Sequence, residues 1–243
     1  MCYSTSLRKK RQQIQQSLIN LSDADFEFPL EYDPYYHLNG FTYGNLYIIK
    51  MDEPEAIYPA SWGLVPSWGI HDPVAFRKKS NTLNARAESI FEKSSYRESA
   101  ESKRCLILAD GFFEPHHENG VSIPHFCYQP SKEYPEGDLF MFAGLYNELD
   151  DQLFSATILT VEANEFFAEI HNKRRRMPLV LAKDLFEDWM DEGMNQQSLN
   201  ELMAYGFTSK EFKAHPVTRD LYKKGINTNT PEFLEPVDKG TLF

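Results

Sequence analysis

The sequence predicts an α+β fold with a mostly antiparallel, partly closed β-sheet core and peripheral helices. Short runs rich in β-branched and aromatic residues, which are typical of strands, recur along the 243-residue chain. The segments between them are uneven in length and not regularly helical, which disfavours a doubly wound parallel sheet. With 42% hydrophobic and 14% aromatic residues, the chain can bury a sizeable core. We therefore expect a single domain over residues 1–243, with its core from residue 2 to about residue 238.

The predicted elements alternate between short helices and short strands. The first is an amphipathic helix over 5–21, where Leu7, Ile14, Leu18 and Leu21 recur near a 3.6-residue period. Strands are expected at 44–51, 104–109, 126–129, 139–146, 154–161 and 177–182. Further helices are expected at 85–94, 163–171, 182–190 and near 195–204.

Charge and cysteine content narrow the class of protein. The 25 Lys and Arg against 36 Asp and Glu give a net charge of −11, so binding of a polyanion must rest on a local basic groove. Cations cluster at 8–11, 77–79 and 173–176, although such clusters also form ordinary solvated faces. Three cysteines are too few for a secreted disulfide framework, and we find neither a signal peptide nor an apolar run of about 18 residues. We expect a reduced, cytoplasmic protein.

The second residue carries unusual chemistry if Met1 is removed. Cys2 then holds a free α-amine and a thiol on adjacent carbons, and this aminothiol can close a five-membered ring on an aldehyde. An α-amine with a pKa of about 7.8 is roughly a quarter neutral near pH 7.4, against about a thousandth of an ordinary lysine. Attack by the amine gives a carbinolamine and then an iminium, and the neighbouring thiol closes the ring in a nearly unimolecular step.

Other polar residues could complete a site around Cys2. In an extended segment Asn84 and Arg86 share one face and could grip a phosphate or a carbonyl, whereas in a helix Asn84 would be an N-cap. Glu114 lies between two phenylalanines and a proline, where poor solvation would raise its pKa towards that of a general acid, unless it faces water at a rim. His171 ends a predicted helix, as a catalytic group, a cap or a solvated side chain.

A series of motifs, each weak alone, is specific in combination. These are Cys2 after Met1, SWGLVPSW at 61–68, NARAES at 84–89, RCLILADGFFEP at 104–115, FAGLY at 142–146, His171 ahead of RMPLVL at 176–181, and HPVTR at 215–219. In this order they resemble the SOS response-associated peptidase (SRAP) family, and the resemblance extends from residue 2 to about residue 238.

The resemblance implies a sensor of abasic sites in single-stranded DNA. Cys2, released from Met1, would form a thiazolidine with the ring-opened deoxyribose, and this covalent crosslink would shield the lesion. The family name also implies an autoproteolytic activity that exposes the same cysteine. The partner would be single-stranded DNA containing abasic sites, with no cofactor, metal or membrane. We expect a monomer in the cytoplasm that is nucleoid-associated when bound to DNA.

The resemblance also implies roles for four catalytic residues. Cys2 would be the nucleophile, and Glu114 the acid and base of imine formation. His171 would open the sugar ring or shuttle the same proton, and Asn84 would hold the terminal residue or the opened sugar.

A second group would contact DNA. Arg86 and Arg176 would bind flanking phosphates, and Thr160 would be a neutral phosphate donor. Trp68 offers a stacking surface for an unpaired base. Trp62 is assigned to packing.

The chain departs from the family pattern at three places. The usual MCGR opening is MCYS, so Ser4 replaces an arginine and Arg8 becomes a candidate substitute. Four residues, NKRR, separate His171 from Arg176 where one is common, so Arg174 or Arg175 could take the place of Arg176. The Asn-x-Ala-Pro loop that wedges DNA in relatives is absent from 37–44, where Asn39 is the candidate aligned residue and Phe41 is the candidate wedge.

Three alternatives remain open at the level of sequence. A cysteine peptidase would use the Cys2 thiolate with His171 and Glu114. A non-covalent single-strand binder would tolerate Cys2→Ala. A zinc module would draw on Cys105, His116, His117, His125 and Cys127, whose spacing matches no common finger.

Overall fold

The computed structural model of the chain describes residues 2–18 and 26–238. The strands are β1 (Ser4–Leu7), β2 (Tyr35–Asn39), β3 (Asn45–Lys50), β4 (Glu53–Trp62), β5 (Asn84–Arg86), β6 (Arg104–Ala109), β7 (Gly111–Glu118), β8 (Val121–Tyr128), β9 (Phe140–Asp150), β10 (Leu153–Glu162), β11 (Arg176–Pro178) and β12 (Lys213–Pro216). The α-helices are α1 (Arg11–Leu18), α2 (Pro73–Lys79), α3 (Arg97–Ser102), α4 (Glu165–Ile170), α5 (Phe186–Met190) and α6 (Gln196–Tyr205). In this part of the chain, no helix combines the length and apolarity needed to cross a membrane.

The first sheet is antiparallel throughout and has the strand order β12-β8-β7-β1-β2. The N-terminal strand β1 is therefore an interior strand. Thr5 is opposite Phe112 of β7 on one side and Leu38 of β2 on the other. This position fixes the backbone just after Cys2 within a hydrogen-bonded sheet.

The second sheet closes into a ring, because β9 pairs with β10 at one end of the order β10-β4-β3-β6-β9. Short strands β5 and β11 also pair with β10. The ladders are antiparallel except those of β10 with β4 and with β5. The expected α+β fold with a mostly antiparallel, partly closed sheet is confirmed.

Side chains on the two faces of the ring strands pack into two separate hydrophobic cores. One core joins Ile48, Trp62 and Phe142 of the ring to Cys2 and Phe112 of the first sheet. The other core joins the opposite faces of these strands to the helices, through Leu106 and Leu145 packed with Ile14, Trp189 and Leu202. The ring strands read as long apolar runs because both of their faces are buried.

The helix predicted at 5–21 is wrong in its first part. Residues 4–7 form β1, and the helix begins only at Arg11 and is described as far as Leu18, since 19–21 lie outside the described residues. Pairing with β2 and β7 overrides the helical periodicity at Leu7. Ile14 and Leu18 do form the buried face of α1.

The helix predicted at 85–94 is also wrong. Asn84–Arg86 is the strand β5, which pairs in parallel with β10, and a single 3₁₀ turn at Ala87–Ser89 follows it. The extended interpretation of this segment, with Asn84 and Arg86 on one face, is therefore the correct one.

The other predicted elements overlap observed ones, with shifted ends. The remaining predicted helices correspond to α4, to a 3₁₀ turn followed by α5, and to α6. The predicted strands correspond to β3, β6, the end of β8, the start of β9, β10 and, in shortened form, β11. The prediction missed β1, β2, β4, β7, β12, α2 and α3.

A buried carboxylate at the β6–β7 turn holds the N-terminal strand in place. Asp110 is fully buried, and its carboxylate accepts hydrogen bonds from the Ser6 hydroxyl at 2.7 Å and from the Arg8 amide at 2.7 Å. The Arg8 guanidinium adds a third bond to the same carboxylate at 3.1 Å. The Asp110 amide in turn donates to the Ser6 carbonyl at 2.9 Å.

Asp110→Ala is expected to lower the free energy of unfolding by about 3 to 5 kcal/mol, because it leaves buried donors and a largely buried cation without their partner. Urea unfolding followed by circular dichroism measures this loss. The matched control is Asp150→Ala, which removes an exposed carboxylate that accepts from the adjacent amide and should change stability by less than about 1 kcal/mol. Equal effects of the two substitutions would contradict the assigned role of Asp110.

Candidate active site

Strand β1 carries Cys2 into the core, where the residue is completely buried. The Cys2 carbonyl accepts a hydrogen bond from the Asn84 side-chain amide at 2.7 Å, and the next carbonyl, of Tyr3, accepts from the Gly40 amide at 2.9 Å. The Cys2 thiol points to the Ser4 carbonyl at 3.5 Å. Burial, with a smaller contribution from nearby Glu114, raises the pKa of this thiol well above its ordinary value. The sulfur is therefore held as a neutral thiol.

Glu114 projects from β7 on the same face as Phe112, which lies two residues earlier in the strand. Phe112 is opposite Thr5 of β1. The carboxyl group is completely buried, and burial raises the pKa of Glu114 to about 7. This direction is the one that the flanking aromatic residues predict. Near neutral pH, Glu114 is present in comparable amounts as acid and as carboxylate.

His171 caps the C-terminus of α4 and is buried against Glu114. Its Nδ1 lies 2.8 Å from the Arg176 carbonyl and 3.3 Å from Glu114 Oε2. Because a carbonyl only accepts, Nδ1 carries the proton and Nε2 carries the lone pair of the neutral ring. Burial lowers the pKa of His171 to about 4, so the imidazole is neutral at physiological pH.

Arg86 lies on the same face of β5 as Asn84 but reaches solvent. Its side chain is 60% exposed and lies 3.9 Å from the Glu88 carboxylate, which is a loose ion pair. Asn84 is held in place because its own backbone carbonyl accepts from the Tyr96 hydroxyl at 3.2 Å. The pair therefore combines an amide fixed on the Cys2 carbonyl with an exposed cation.

Arg176 and Thr160 are engaged in contacts within the fold. The Arg176 side chain is 11% exposed and forms a two-pronged ion pair with Glu88, at 2.6 and 3.0 Å. It also donates to the Thr160 carbonyl at 2.5 Å. Thr160 is completely buried, and its hydroxyl donates to the Ala85 carbonyl at 3.3 Å. Both residues fix the segment that carries Glu88 beside β10.

Two aromatic side chains that the sequence assigns to DNA are exposed. Trp68 is 57% exposed and packs edge-on against Phe76, with ring centroids 5.2 Å apart. Phe41 is 56% exposed on the 3₁₀ turn Gly40–Thr42, and its ring lies 5.0 Å from that of Tyr3. Trp62, in contrast, is completely buried and donates to the Leu83 carbonyl, which confirms its assignment to packing.

Arg8, the candidate substitute for the missing arginine, is engaged inside the fold. Its guanidinium contacts Asp110 and donates to the Glu136 carbonyl at 3.1 Å. The residues proposed for a zinc site do not converge either: across residues 2–18 and 26–238, no three His, Cys, Asp or Glu side chains come together as metal ligands.

A cavity of about 400 Å³ opens beside the buried pair of Glu114 and His171. Tyr3 and His171 form part of its wall, and Lys173, Arg174 and Tyr222 contribute polar groups. Sequence reasoning did not assign Tyr3, Lys173 or Tyr222 to the site. The departures from the family pattern at positions 3 and 172–175 were the sequence signal that could have pointed to Tyr3 and Lys173.

The fold and the site define a class of protein in which an interior N-terminal strand carries a cysteine to a buried carboxyl group and a neutral imidazole. The chain matches the model of the family described as SOS response associated peptidase (SRAP) over residues 1–224 and belongs to this family. The resemblance stated from the motifs is thus confirmed.

The chain is similar to several relatives that are named abasic site processing proteins. It is 31% identical over 207 residues to abasic site processing protein YoaM of Bacillus subtilis, covering 83% of this chain and 86% of YoaM. It is 31% identical over 199 residues to abasic site processing protein HMCES of Gallus gallus, covering 74% of this chain and 57% of that longer protein.

Solved structures show the same fold. A crystal structure of a protein from Bacteroides thetaiotaomicron superposes with a TM-score of 0.80 at 27% identity, covering 97% of this chain and 100% of that chain. A protein from Bordetella bronchiseptica shares the fold at 19% identity with a TM-score of 0.68, covering 89% of this chain and 100% of that chain.

Glu114→Gln is expected to stabilise the protein more at pH 8 than at pH 5. The pKa of Glu114 rises from 4.5 to about 7 on folding, so the stability that its proton provides is present below pH 4.5 and is lost as pH rises through 7. Glutamine does not titrate, and the difference in unfolding free energy between variant and wild type should grow by about 2 to 3 kcal/mol over this range.

Urea unfolding at several pH values measures this difference. Glu118→Gln, at the far end of β7, reports the general effect of removing a carboxylate from this strand. A difference between Glu114→Gln and wild type that does not vary with pH would show that Glu114 titrates normally in the folded chain.

Proposed function

We propose that this protein detects abasic sites in single-stranded DNA and captures them covalently through Cys2 after removal of Met1. The observation that carries the proposal is the arrangement around Cys2. Its backbone is fixed by Asn84, and beside it lie a carboxyl group with a pKa near neutrality and a neutral imidazole. The names of the curated relatives, abasic site processing proteins, support the same substrate.

The proposed reaction condenses one aldehyde with one aminothiol and releases water. The Cys2 amine attacks C1′ of the ring-opened deoxyribose to give a carbinolamine. Glu114, as the acid, protonates the departing hydroxyl, and the iminium forms as water leaves. The sulfur then bonds to C1′ while the thiol proton passes to the Glu114 carboxylate, which restores the acid. A group with a pKa of about 7 can perform both transfers near neutral pH.

His171 is suited to opening the closed sugar. Its Nδ1 proton is held by the Arg176 carbonyl, which leaves the Nε2 lone pair as a base for the C1′ hydroxyl. The burial that keeps the ring neutral therefore also keeps this base available at physiological pH.

Contacts to the DNA strand are assigned to the exposed side chains. Arg86 would bind a flanking phosphate, Trp68 would stack on an unpaired base, and Phe41 would act as the wedge. Arg176 and Thr160 would support this surface through Glu88 and Ala85 instead of meeting the strand themselves.

A peptidase acting on external peptides is less well supported. Such an enzyme needs a thiolate beside an imidazolium, whereas burial raises the pKa of the Cys2 thiol and lowers that of His171. The self-cleavage implied by the family name would act once, to expose the Cys2 amine.

Incubation with a single-stranded oligonucleotide containing one abasic site should give a heat-stable shifted band on a denaturing gel. Cys2→Ala should abolish this band, because the thiol that closes the ring is absent. The α-amine is retained in this variant, so borohydride should still trap its iminium. A stable band from Cys2→Ala without borohydride would contradict ring closure by sulfur, and intact mass of the active protein should show that Met1 is absent.

The crosslinking rate is expected to pass through a maximum near pH 7.4. The rate rises as the α-amine loses its proton near pH 7.8 and falls as Glu114 loses its proton near pH 7. Glu114→Gln should slow crosslinking by about 100-fold and remove the fall at high pH, whereas His171→Ala should slow it and keep that fall. Single-turnover rates between pH 5.5 and 9 test this; an unchanged profile in Glu114→Gln would reject Glu114 as the acid.

A further inference from the structure

The segment between α4 and β11 is a fixed turn that presents cations beside the nucleophile. Asn172, its first residue, clamps the backbone of His117 on β7: its side chain accepts from the His117 amide at 3.0 Å and donates to the His117 carbonyl at 2.8 Å. At the other end, Arg175 adopts a positive φ of 50°, its amide donates to the His171 carbonyl at 2.9 Å, and its carbonyl accepts from the Ala163 amide at 3.0 Å. The turn is thus held on three sides.

The two residues between these anchors are Lys173 and Arg174. Both are exposed, and both line the cavity of about 400 Å³ with Tyr3 and His171. Within residues 2–18 and 26–238, neither side chain forms an ion pair with a carboxylate. Their positive charges help to lower the pKa values of His117 and His171, after the larger effect of burial. Two uncompensated cations are thus anchored at the mouth of the candidate site.

The remaining wall of the cavity suits a nucleotide. The Ser122 and Tyr222 side chains contribute hydroxyl groups to this wall. Tyr3 contributes an aromatic ring, which packs against the ring of Phe41. The chain carries a net charge of −11, so a strand held near Cys2 needs local cations. Arg8 and Arg176 cannot provide them without giving up Asp110 and Glu88.

We propose that Lys173 and Arg174 form an anion site for one phosphodiester of the DNA strand next to the abasic sugar. The proposal rests on the proposed function for the identity of the strand. In this site the cations bind the phosphate, Asn172 positions the turn, and Tyr3 lies where the neighbouring base or sugar would contact it. The NKRR spacer is thereby a binding element that compensates for Ser4 at the usual arginine position.

The test uses an oligonucleotide with a tetrahydrofuran abasic analogue, which lacks an aldehyde and cannot crosslink. One phosphate at a time, within two nucleotides on either side of the lesion, is replaced by a neutral methylphosphonate, and fluorescence anisotropy gives each Kd. For wild type, neutralising the phosphate at this site should weaken binding roughly fivefold or more, separately from any position that depends on Arg86. In Lys173→Gln/Arg174→Gln that single position should lose its effect, because the cations that read it are gone.

The matched control is Lys210→Gln/Lys213→Gln, which also removes two exposed cations. Lys213 is opposite Tyr128, at the end of β8 away from the cavity residue Ser122. It should keep the position-specific effect. The salt dependence gives a second measure: the slope of log K against log salt should fall by about 0.7 in the Lys173/Arg174 variant, as expected for one single-strand phosphate contact.

The proposal is overturned if the double variant binds as wild type does, if it weakens all positions equally, or if wild type distinguishes no phosphate. Crosslinking of an aldehyde-containing oligonucleotide is measured in parallel. If one phosphate contributes to binding through Lys173 and Arg174 but no crosslink forms, the Cys2 chemistry is rejected and the anion site is retained. Normal crosslinking without a position-specific phosphate effect would do the reverse.

Discussion

The whole site depends on the insertion of β1 between β2 and β7. A chain terminus normally frays, because few contacts offset the entropy of its ordering. Here the backbone after Cys2 is paired on both sides, and Asp110 binds the Ser6 hydroxyl and the Arg8 amide. The Asn84 amide then fixes the Cys2 carbonyl. Cys2, the proposed nucleophile at the chain end, is thus positioned as firmly as a residue in mid-strand.

Burial then favours the uncharged forms of three groups near this terminus. It raises the pKa values of the Cys2 thiol and of Glu114, and it lowers that of His171. All three shifts favour uncharged forms, so the site has no charged thiolate–imidazolium pair near neutral pH. A thiolate nucleophile needs a charged partner such as an imidazolium. An amine nucleophile does not, because its neutral form is the reactive one. The same burial therefore favours condensation chemistry over peptide cleavage.

Sequence reasoning identified the residues that meet at the site better than the elements that bring them there. Cys2, Asn84, Glu114 and His171 are separated by up to 169 positions, and only the combination of motifs placed them together. The first part of the helix predicted over 5–21 was wrong because the partners of Thr5, near positions 38 and 112, are invisible to local periodicity. The family resemblance assigned Arg176 to a phosphate, and the ion pair that it forms with Glu88 could not be read from its spacing.

The arginines explain why the chain's departures from the family pattern belong together. The family resemblance expects an arginine where this chain has Ser4, and the nearest arginine along the chain, Arg8, is bound to Asp110 in the contact that holds β1 in place. Releasing Arg8 to bind DNA would loosen the strand that positions Cys2. A separate source of charge for the proposed DNA strand would therefore come from cations that do not hold β1 in place. The turn at 172–175 meets this requirement, since its anchors are backbone groups and the Asn172 amide, and Lys173 and Arg174 form no ion pair within residues 2–18 and 26–238.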